Sequence, residues 1–287
     1  MPLANEYHPI EFPFKSHYLN WEDGKLHYID EGKGPVLVFL HGHRSSSYVF
    51  RDLIKELMAD YRCLALDFHG FGKSSTPSSQ DYSLEWQSRQ LAFWLKHLKI
   101  QEFALITCGS GCIPGLTYLL KQSLRPTALV MIHGWYWPTQ LAVWQRFRLF
   151  LRREKRYWLK RVTLRRPERS LREDLRTAFH GFPSVGNPYP PAFHPTQVYG
   201  GDVQWLEGRA DHLKRWKKVP SCLLWGDRNG RLKKKDKQRW QQLLPQILVR
   251  TYKRGRYLLL ESHAAVCSKE IEQFLKACFQ RIKTDQS

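Results

Sequence analysis

Apolar and polar positions along the first half of the chain follow two alternating patterns. Residues 25–30 alternate as a half-buried β-strand does, whereas 35–40 is apolar throughout, which is typical of a central strand covered on both faces. Strands are further predicted at 63–67, 103–107 and 128–133, and helices at 47–60, 83–98 and 113–123. Strands that alternate with helices predict a mostly parallel α/β sheet flanked by helices.

The second half of the chain interrupts this pattern and then resumes it. Residues 135–219 contain helical segments broken by a Pro- and Gly-rich stretch at 181–195. After this segment, strands are predicted at 222–225 and 247–252, and helices at 234–244 and 268–282. We therefore predict one α/β core made of residues 1–134 and 220–287, with residues 135–219 inserted into it as a helical cap.

Length and composition narrow the class of protein. The chain has 287 residues, enough for one large α/β domain, and no apolar stretch reaches the roughly 18 residues of a membrane-spanning helix. The six cysteines mostly lie in apolar runs, which favours buried, reduced thiols, and their spacing does not match a metal site. We expect a cytoplasmic protein with neither a metal nor an organic cofactor.

Two segments carry a family resemblance. The first is His41-Gly42-His43, which follows the predicted strand 35–40, and the second is Asp67 with the Gly-x-Gly-x-Ser turn at 70–74. Both resemble the α/β-hydrolase superfamily, in particular the group that contains haloalkane dehalogenases and epoxide hydrolases. The resemblance implies the α/β-hydrolase fold with a cap after strand six. It also implies that the His41-Gly42-His43 turn supplies one amide of an oxyanion hole.

The resemblance further implies a nucleophile elbow after strand 103–107, where the superfamily pattern is Gly-x-nucleophile-x-Gly. With residues 107–111 in register, Gly109 takes the nucleophile position and Gly111 the closing glycine. Gly109 has no side chain with which to attack a substrate. A shift of one residue makes Ser110 the nucleophile instead, with cysteines at the flanking glycine positions, so both registers remain open.

The catalytic histidine of the superfamily is expected between the last strand and the final helix. The Gly-His pattern falls on Arg256, and counting from Glu261 as in the dehalogenase pattern gives Tyr257. Neither side chain accepts a proton near neutral pH as an imidazole does. The local substitute is His263, which we retain as a candidate base.

The catalytic acid of the superfamily has two expected places, and neither holds a carboxylate at the usual spacing. Residues 131–135, after strand six, contain none. After strand seven the usual position falls on Asn229, and Asp227 comes two residues early. The triad positions are therefore predicted to be degenerate at Gly109, Asn229 and Arg256 or Tyr257.

Basic residues are concentrated in the second half of the chain. The formal net charge is +20, and residues 1–134 carry equal numbers of basic and acidic residues, so the whole excess lies beyond them. Within 146–176 there are thirteen basic and four acidic residues, interleaved with apolar residues at roughly helical spacing. This excess favours an anionic partner. The predicted basic surface includes Arg152, Arg153, Lys155, Arg156, Lys160 and Arg161.

The residues support three functional hypotheses. In the first, the chain is a catalytically degenerate α/β-hydrolase, a pseudoenzyme, that binds a small hydrophobic or anionic ligand or a partner. In the second, it is an active serine hydrolase with a relocated site formed by Ser110 and His263. In the third, the basic cap binds an anionic membrane surface; nucleic acid is a weaker candidate, because no recognition motif accompanies the charge. The sequence carries no indication of an oligomeric state.

Overall fold

The computed structural model describes residues 12–22, 24–42, 45–76, 83–134, 208, 210–228, 234–255 and 259–286. Eight strands of this part of the chain form one sheet. They are β1 (His17–Trp21), β2 (Gly24–Glu31), β3 (Val36–Leu40), β4 (Arg62–Leu66), β5 (Ala104–Cys108), β6 (Leu129–Ile132), β7 (Ser221–Gly226) and β8 (Leu248–Tyr252).

The strand order in the sheet is β1-β2-β4-β3-β5-β6-β7-β8. β2 is antiparallel to β1 and β4, whereas β4, β3, β5, β6, β7 and β8 are parallel to one another. The order of strands and their direction confirm the predicted α/β sheet. In such a sheet the carboxyl ends of the parallel strands meet at one edge, which is where a site is expected.

Helices connect the strands. In the described residues they are α1 (Arg51–Leu57), α2 (Leu84–His97), α3 (Cys112–Lys121), α4 (Lys234–Leu243), α5 (Leu259–Ser262) and α6 (Ala264–Gln286), with 3-10 helices at Ser47–Phe50, Gly109–Gly111 and Ala210–Trp216. The helix predicted at 47–60 thus starts as a 3-10 turn, whose first amides are held by side chains: Ser46 Oγ accepts from Tyr48 N. The last helix begins before the predicted residue 268.

The sheet is covered on both faces, which explains the continuous apolar strands. Along β3, Val38 and Leu40 belong to one core cluster, and Leu37 and Phe39 belong to the other. The first cluster is covered by α2, α3 and α4, and the second by α1 and α6. Successive side chains of a strand point to opposite faces of the sheet. A strand that is buried on both faces therefore has apolar residues at consecutive positions.

The predicted cap lies almost entirely outside the described residues, and so does its basic surface from Arg152 to Arg161. The 3-10 helix Ala210–Trp216 falls within the last part of the predicted cap, and its Leu213 and Trp216 are buried in the first core cluster. Trp240 Nε1 donates a hydrogen bond to the carbonyl of Gly134, where the insertion begins. No helix in the described ranges is both long and apolar enough to cross a membrane.

Candidate functional site

The turn that follows β5 has the conformation of a tight elbow. β5 ends at Cys108, the 3-10 turn Gly109–Gly111 follows, and α3 begins directly after it. Gly109 has φ 55°, in the left-handed region that favours glycine. Ser110 lies outside that region. A side chain at position 109 would therefore carry the strain that a nucleophile elbow imposes on its central residue.

The turn after β3 packs directly on this elbow. A Cβ at Gly111 would clash with the carbonyl oxygens of Leu40 and His41, so only glycine fits there. A Cβ at Gly42 would lie 2.9 Å from the carbonyl oxygen of Cys108 and 3.4 Å from the amide nitrogen of Ser110. The two turns thus bring their backbone groups together at the carboxyl edge of the sheet. His43 lies outside the described residues.

The side chain of His41 stabilises the loop after β4 through a hydrogen bond. Its Nδ1 donates to the carbonyl of Gly42 at 2.8 Å, and its Nε2 accepts from the amide of Phe68 at 3.2 Å. Burial lowers the pKa of His41 below 6.5. A neutral imidazole with both nitrogens hydrogen-bonded positions the backbone at the site and has no free nitrogen to act as a base.

Ser110 and His263 are the pair of the relocated-site hypothesis. Ser110 is 1% exposed in the turn after β5. His263 is half-buried next to the start of α6, with its Nδ1 2.7 Å from Ser262 Oγ and its ring 5.6 Å from that of Tyr252. A joint role of Ser110 and His263 stays a prediction.

The thiols beside the elbow are poor nucleophiles. All six cysteines are free, and Cys108 is half-buried while Cys112 is buried. Burial raises the pKa of Cys108 to about 12 and that of Cys112 well above 9. Because the thiolate is the attacking species, both groups are almost entirely in the unreactive form at neutral pH.

The acid and histidine positions of the superfamily lie where the described chain has gaps. Asn229, Arg256 and Tyr257 are all outside the described residues. Asp227 is exposed, and its backbone amide donates to the carbonyl of Tyr252 at 3.1 Å. At the carboxyl end of β7, a Cβ on Gly226 would clash with the carbonyl of Gly255. The degeneracy of these positions stays a prediction.

His133 is the residue at this edge that the sequence argument passed over. It follows β6 with φ 53°, is fully buried, and stacks edge-on against Trp225 with ring centroids 6.1 Å apart. Its Cε1 lies 2.9 Å from the place of a Cβ on Gly226. Its sequence signal is a histidine directly after a buried strand, at a place where the superfamily is expected to carry a carboxylate.

Comparison with known proteins identifies the family. A family model described as the alpha/beta hydrolase fold matches residues 35–262, which is most of the chain and includes both turns described above. The chain belongs to the α/β-hydrolase fold family. This confirms the resemblance seen in the motifs and the fold expected from it.

Individual members of the α/β-hydrolase fold family are similar to this chain to different extents. Haloalkane dehalogenase 2 of Mycobacterium tuberculosis is 29% identical over 139 residues, 48% of this chain and 49% of that protein, so the chain spans about half the length of such dehalogenases. The cis-3-alkyl-4-alkyloxetan-2-one decarboxylase of Shewanella oneidensis is 25% identical over 285 residues, 92% of this chain and 89% of that protein. The crystal structure of the haloalkane dehalogenase DatA from Agrobacterium tumefaciens C58 aligns with a TM-score of 0.67 at 21% identity, covering 94% of this chain and 99% of that one.

Proposed function

We propose that this protein is an α/β-hydrolase that has lost covalent catalysis at the elbow after β5 and binds a small hydrophobic or anionic ligand there. The observation that carries the proposal is Gly109 with φ 55° at the apex of the turn. The position with the elbow's strained conformation is the one that lacks a side chain. Without a nucleophile, a triad retains only its binding and oxyanion-stabilising groups.

Those retained groups favour an anionic head on the ligand. The backbone of Gly42 approaches the amide of Ser110, and the first turn of α3 starts just beyond it. Backbone amides at a helix start attract negative charge, which favours a carboxylate over a neutral head group. Ligand sites commonly surround such polar groups with apolar side chains, which favours an aliphatic tail.

A thermal-shift series with decanoate and decanol tests this ligand class. At a hundredfold excess over Kd, binding contributes about 2.7 kcal/mol, which raises Tm by roughly 5–10 °C. We expect decanoate to give the larger rise, and Gly109→Ala to reduce that rise by more than half. Gly208→Ala is the matched control, because a Cβ there meets nothing within 4 Å. Equal shifts in wild type and Gly109→Ala would contradict binding at the elbow.

A second candidate function, attachment to an anionic surface, is favoured by a basic face outside the cap. The 3-10 helix Ala210–Trp216 packs against α4, with Trp216 and Trp240 fully buried beneath. Among the described residues of this face, the acidic ones are Asp211, which is paired with Lys214, and the buried Asp236, so two carboxylates stand against seven exposed basic residues. The exposed basic residues are Lys214, Arg215, Lys217, Lys218, Lys234, Lys235 and Arg239.

An anionic lipid surface suits this basic face better than nucleic acid does. Lysines outnumber arginines on it, and flexible ammonium groups suit lipid headgroups without fixed geometry. The tryptophans of both elements are buried, so in the described part of the face no indole is available for stacking on bases.

Sedimentation with phosphatidylglycerol vesicles, compared with phosphatidylcholine vesicles, tests this attachment. The Lys217→Glu/Lys218→Glu variant should bind phosphatidylglycerol at least about tenfold more weakly, because each basic residue near such a surface is worth about 1 kcal/mol. Lys25→Glu/Lys33→Glu makes the same charge change on exposed residues elsewhere and should bind as wild type does. Binding to a DNA duplex in place of vesicles would overturn the lipid assignment.

A further inference from the structure

A hydrogen-bonded chain of serine, histidine and aspartate lies at the β1–β2 end of the sheet. Ser16 Oγ is 3.1 Å from His27 Nε2, and His27 Nδ1 is 2.7 Å from Asp67 Oδ2. Ser16 directly precedes β1, His27 lies in β2, and Asp67 follows β4. Each contact has the length and the partner atoms of the nucleophile, base and orienting acid of a serine hydrolase.

Asp67, the aspartate of this hydrogen-bonded network, is held in the ionised form. Burial alone raises the pKa of Asp67, but His27 and the neighbouring hydrogen bonds outweigh it and lower the pKa to about 2. Oδ1 accepts from the amide of Ser47 at 2.6 Å, and Oδ2 accepts from the amide of Lys73 at 3.0 Å. An ionised Asp67 accepts a hydrogen bond from Nδ1–H of His27, so in the neutral imidazole Nε2 carries no proton and is the acceptor that faces Ser16.

Lys73 fixes the direction of the serine hydroxyl. Its Nζ lies 3.0 Å from Ser16 Oγ, and an ammonium group only donates. Ser16 Oγ therefore accepts from Lys73 and directs its own proton to His27 Nε2. The same positive charge stabilises negative charge that develops on the serine oxygen as its proton leaves.

The solvent exposure of the four residues of this network suits a reactive serine with a buried base. Ser16 and Lys73 are half-buried, so they are open to solvent on one side. His27 and Asp67 are fully buried, and the ring of Tyr18 covers His27 at 5.3 Å. A reagent therefore meets the hydroxyl first, while the base and its carboxylate stay dry behind it.

We propose that Ser16 is an acyl-accepting site that reacts with activated carboxylic esters, with His27 as its base and Asp67 as the residue that orients His27. Ser16 Oγ attacks the acyl carbon and its proton passes to His27 Nε2. The bond from the acyl carbon to the ester oxygen breaks, and the leaving alcohol takes the proton from His27. The products are an O-acyl ester of Ser16 and the free alcohol. This site is separate from the elbow after β5 and does not depend on the function proposed there.

Acetylation by p-nitrophenyl acetate, followed by peptide mass spectrometry, tests the proposal. We expect one acetyl group on the peptide that contains Ser16, removable by neutral hydroxylamine because it is an ester. Acetyl groups on lysines are amides and remain, so the two are distinguished. Ser16→Ala should lose the labile group, whereas Ser123→Ala, at an exposed serine, should keep it.

His27→Asn separates a reactive site from a structural one. The asparagine amide can replace Nδ1 as donor to Asp67 but has no group at Nε2, so the pair with the carboxylate is kept and the base is lost. We expect acetylation of Ser16 to slow about a hundredfold. Because His27 is buried, the Tm of the His27→Asn variant is measured in parallel. Lys73 is half-buried, so Lys73→Met should slow acetylation of Ser16 in a protein that folds normally. An unacetylated Ser16 in wild type, or equal rates in wild type and both variants, would overturn the proposal and leave the network with a structural role alone.

Discussion

Gly109 and His133 leave neighbouring strands at the same level of the sheet, because the residues before them, Cys108 and Ile132, are paired between β5 and β6. The His133 imidazole is buried and lies on the β7 side, with its Cε1 2.9 Å from the place of a Cβ on Gly226 and its ring edge-on to that of Trp225. Gly109 adds no side chain at this level of the sheet, and α3 begins three residues after it.

A thiol placed at the apex tests the surroundings of the elbow. In Gly109→Cys, we expect a thiol that reacts with iodoacetamide faster than an ordinary cysteine, because the backbone amides at the start of α3 favour its thiolate. The left-handed conformation costs roughly 1–2 kcal/mol of stability. A rate no higher than that of an ordinary thiol would contradict this expectation. Wild type is the control, because burial raises the pKa of Cys108 and Cys112.

Gly111 makes the contact between the two turns, and its replacement should be costly. A Cβ there meets two backbone oxygens, which cannot move aside as a flexible side chain can. We expect Gly111→Ala to lower the free energy of unfolding by about 3 kcal/mol in urea titrations. Gly208→Ala should change it by less than about 0.5 kcal/mol. A cost below about 1 kcal/mol for Gly111→Ala would mean that the turns are not packed as described.

Acid should weaken the fold in two steps. Because the pKa of His41 is lowered in the folded protein, the unfolded chain binds a proton that the folded one excludes, so stability falls as the pH drops below 6.5. The pKa of Asp67 is lowered from 3.8 to about 2, so its stabilisation of about 2 kcal/mol is present above pH 3.8 and is lost as the pH falls toward 2.

Urea titrations between pH 8 and about pH 2 measure both steps. In His41→Asn the first step should disappear, since asparagine does not titrate, and the loss below pH 4 should remain. A wild-type free energy of unfolding that stays constant between pH 7 and pH 5 would contradict the buried, neutral state of His41.

The paired charges of Arg51 and Glu261 hold the start of α1 to the chain just before α6. Two hydrogen bonds of 2.8 and 2.7 Å join the guanidinium to both carboxylate oxygens, and the side chains are 15% and 24% exposed. We expect Glu261→Gln to cost roughly 1–2 kcal/mol, because a bidentate, half-buried pair is stronger than an exposed one. Glu22→Gln removes the exposed pair with Arg89 and should cost less than about 1 kcal/mol. Equal losses in the free energy of unfolding for Glu261→Gln and Glu22→Gln would contradict this expectation.

The sheet was predictable because strands that are buried on both faces have continuous runs of apolar residues in their sequences. Strand 36–40 shows this directly, and its neighbours repeat it. The start of the first helix was less predictable, because the 3-10 turn at Ser47 depends on a hydrogen bond to Asp67, twenty residues away. Local propensity does not contain such a tertiary contact.

The site was only partly predictable for the same reason. Whether Gly109 or Ser110 takes the apex depends on a backbone φ angle, which adjacent glycine and serine leave open in the sequence. The position of His133 at the same level of the sheet as Gly109 follows only from the pairing of Cys108 with Ile132. The contact of Ser16 with His27 and Asp67 joins three separate elements and corresponds to no local motif.

The proposed loss of covalent catalysis at the elbow is tested most directly by labelling with a fluorophosphonate probe, which modifies activated serines, mapped by peptide mass spectrometry. Our account predicts no probe on the peptide that contains Ser110, in wild type and in His263→Ala alike, whatever happens at Ser16. A wild-type protein labelled at Ser110, with the label lost in His263→Ala, would contradict it and identify an active serine hydrolase.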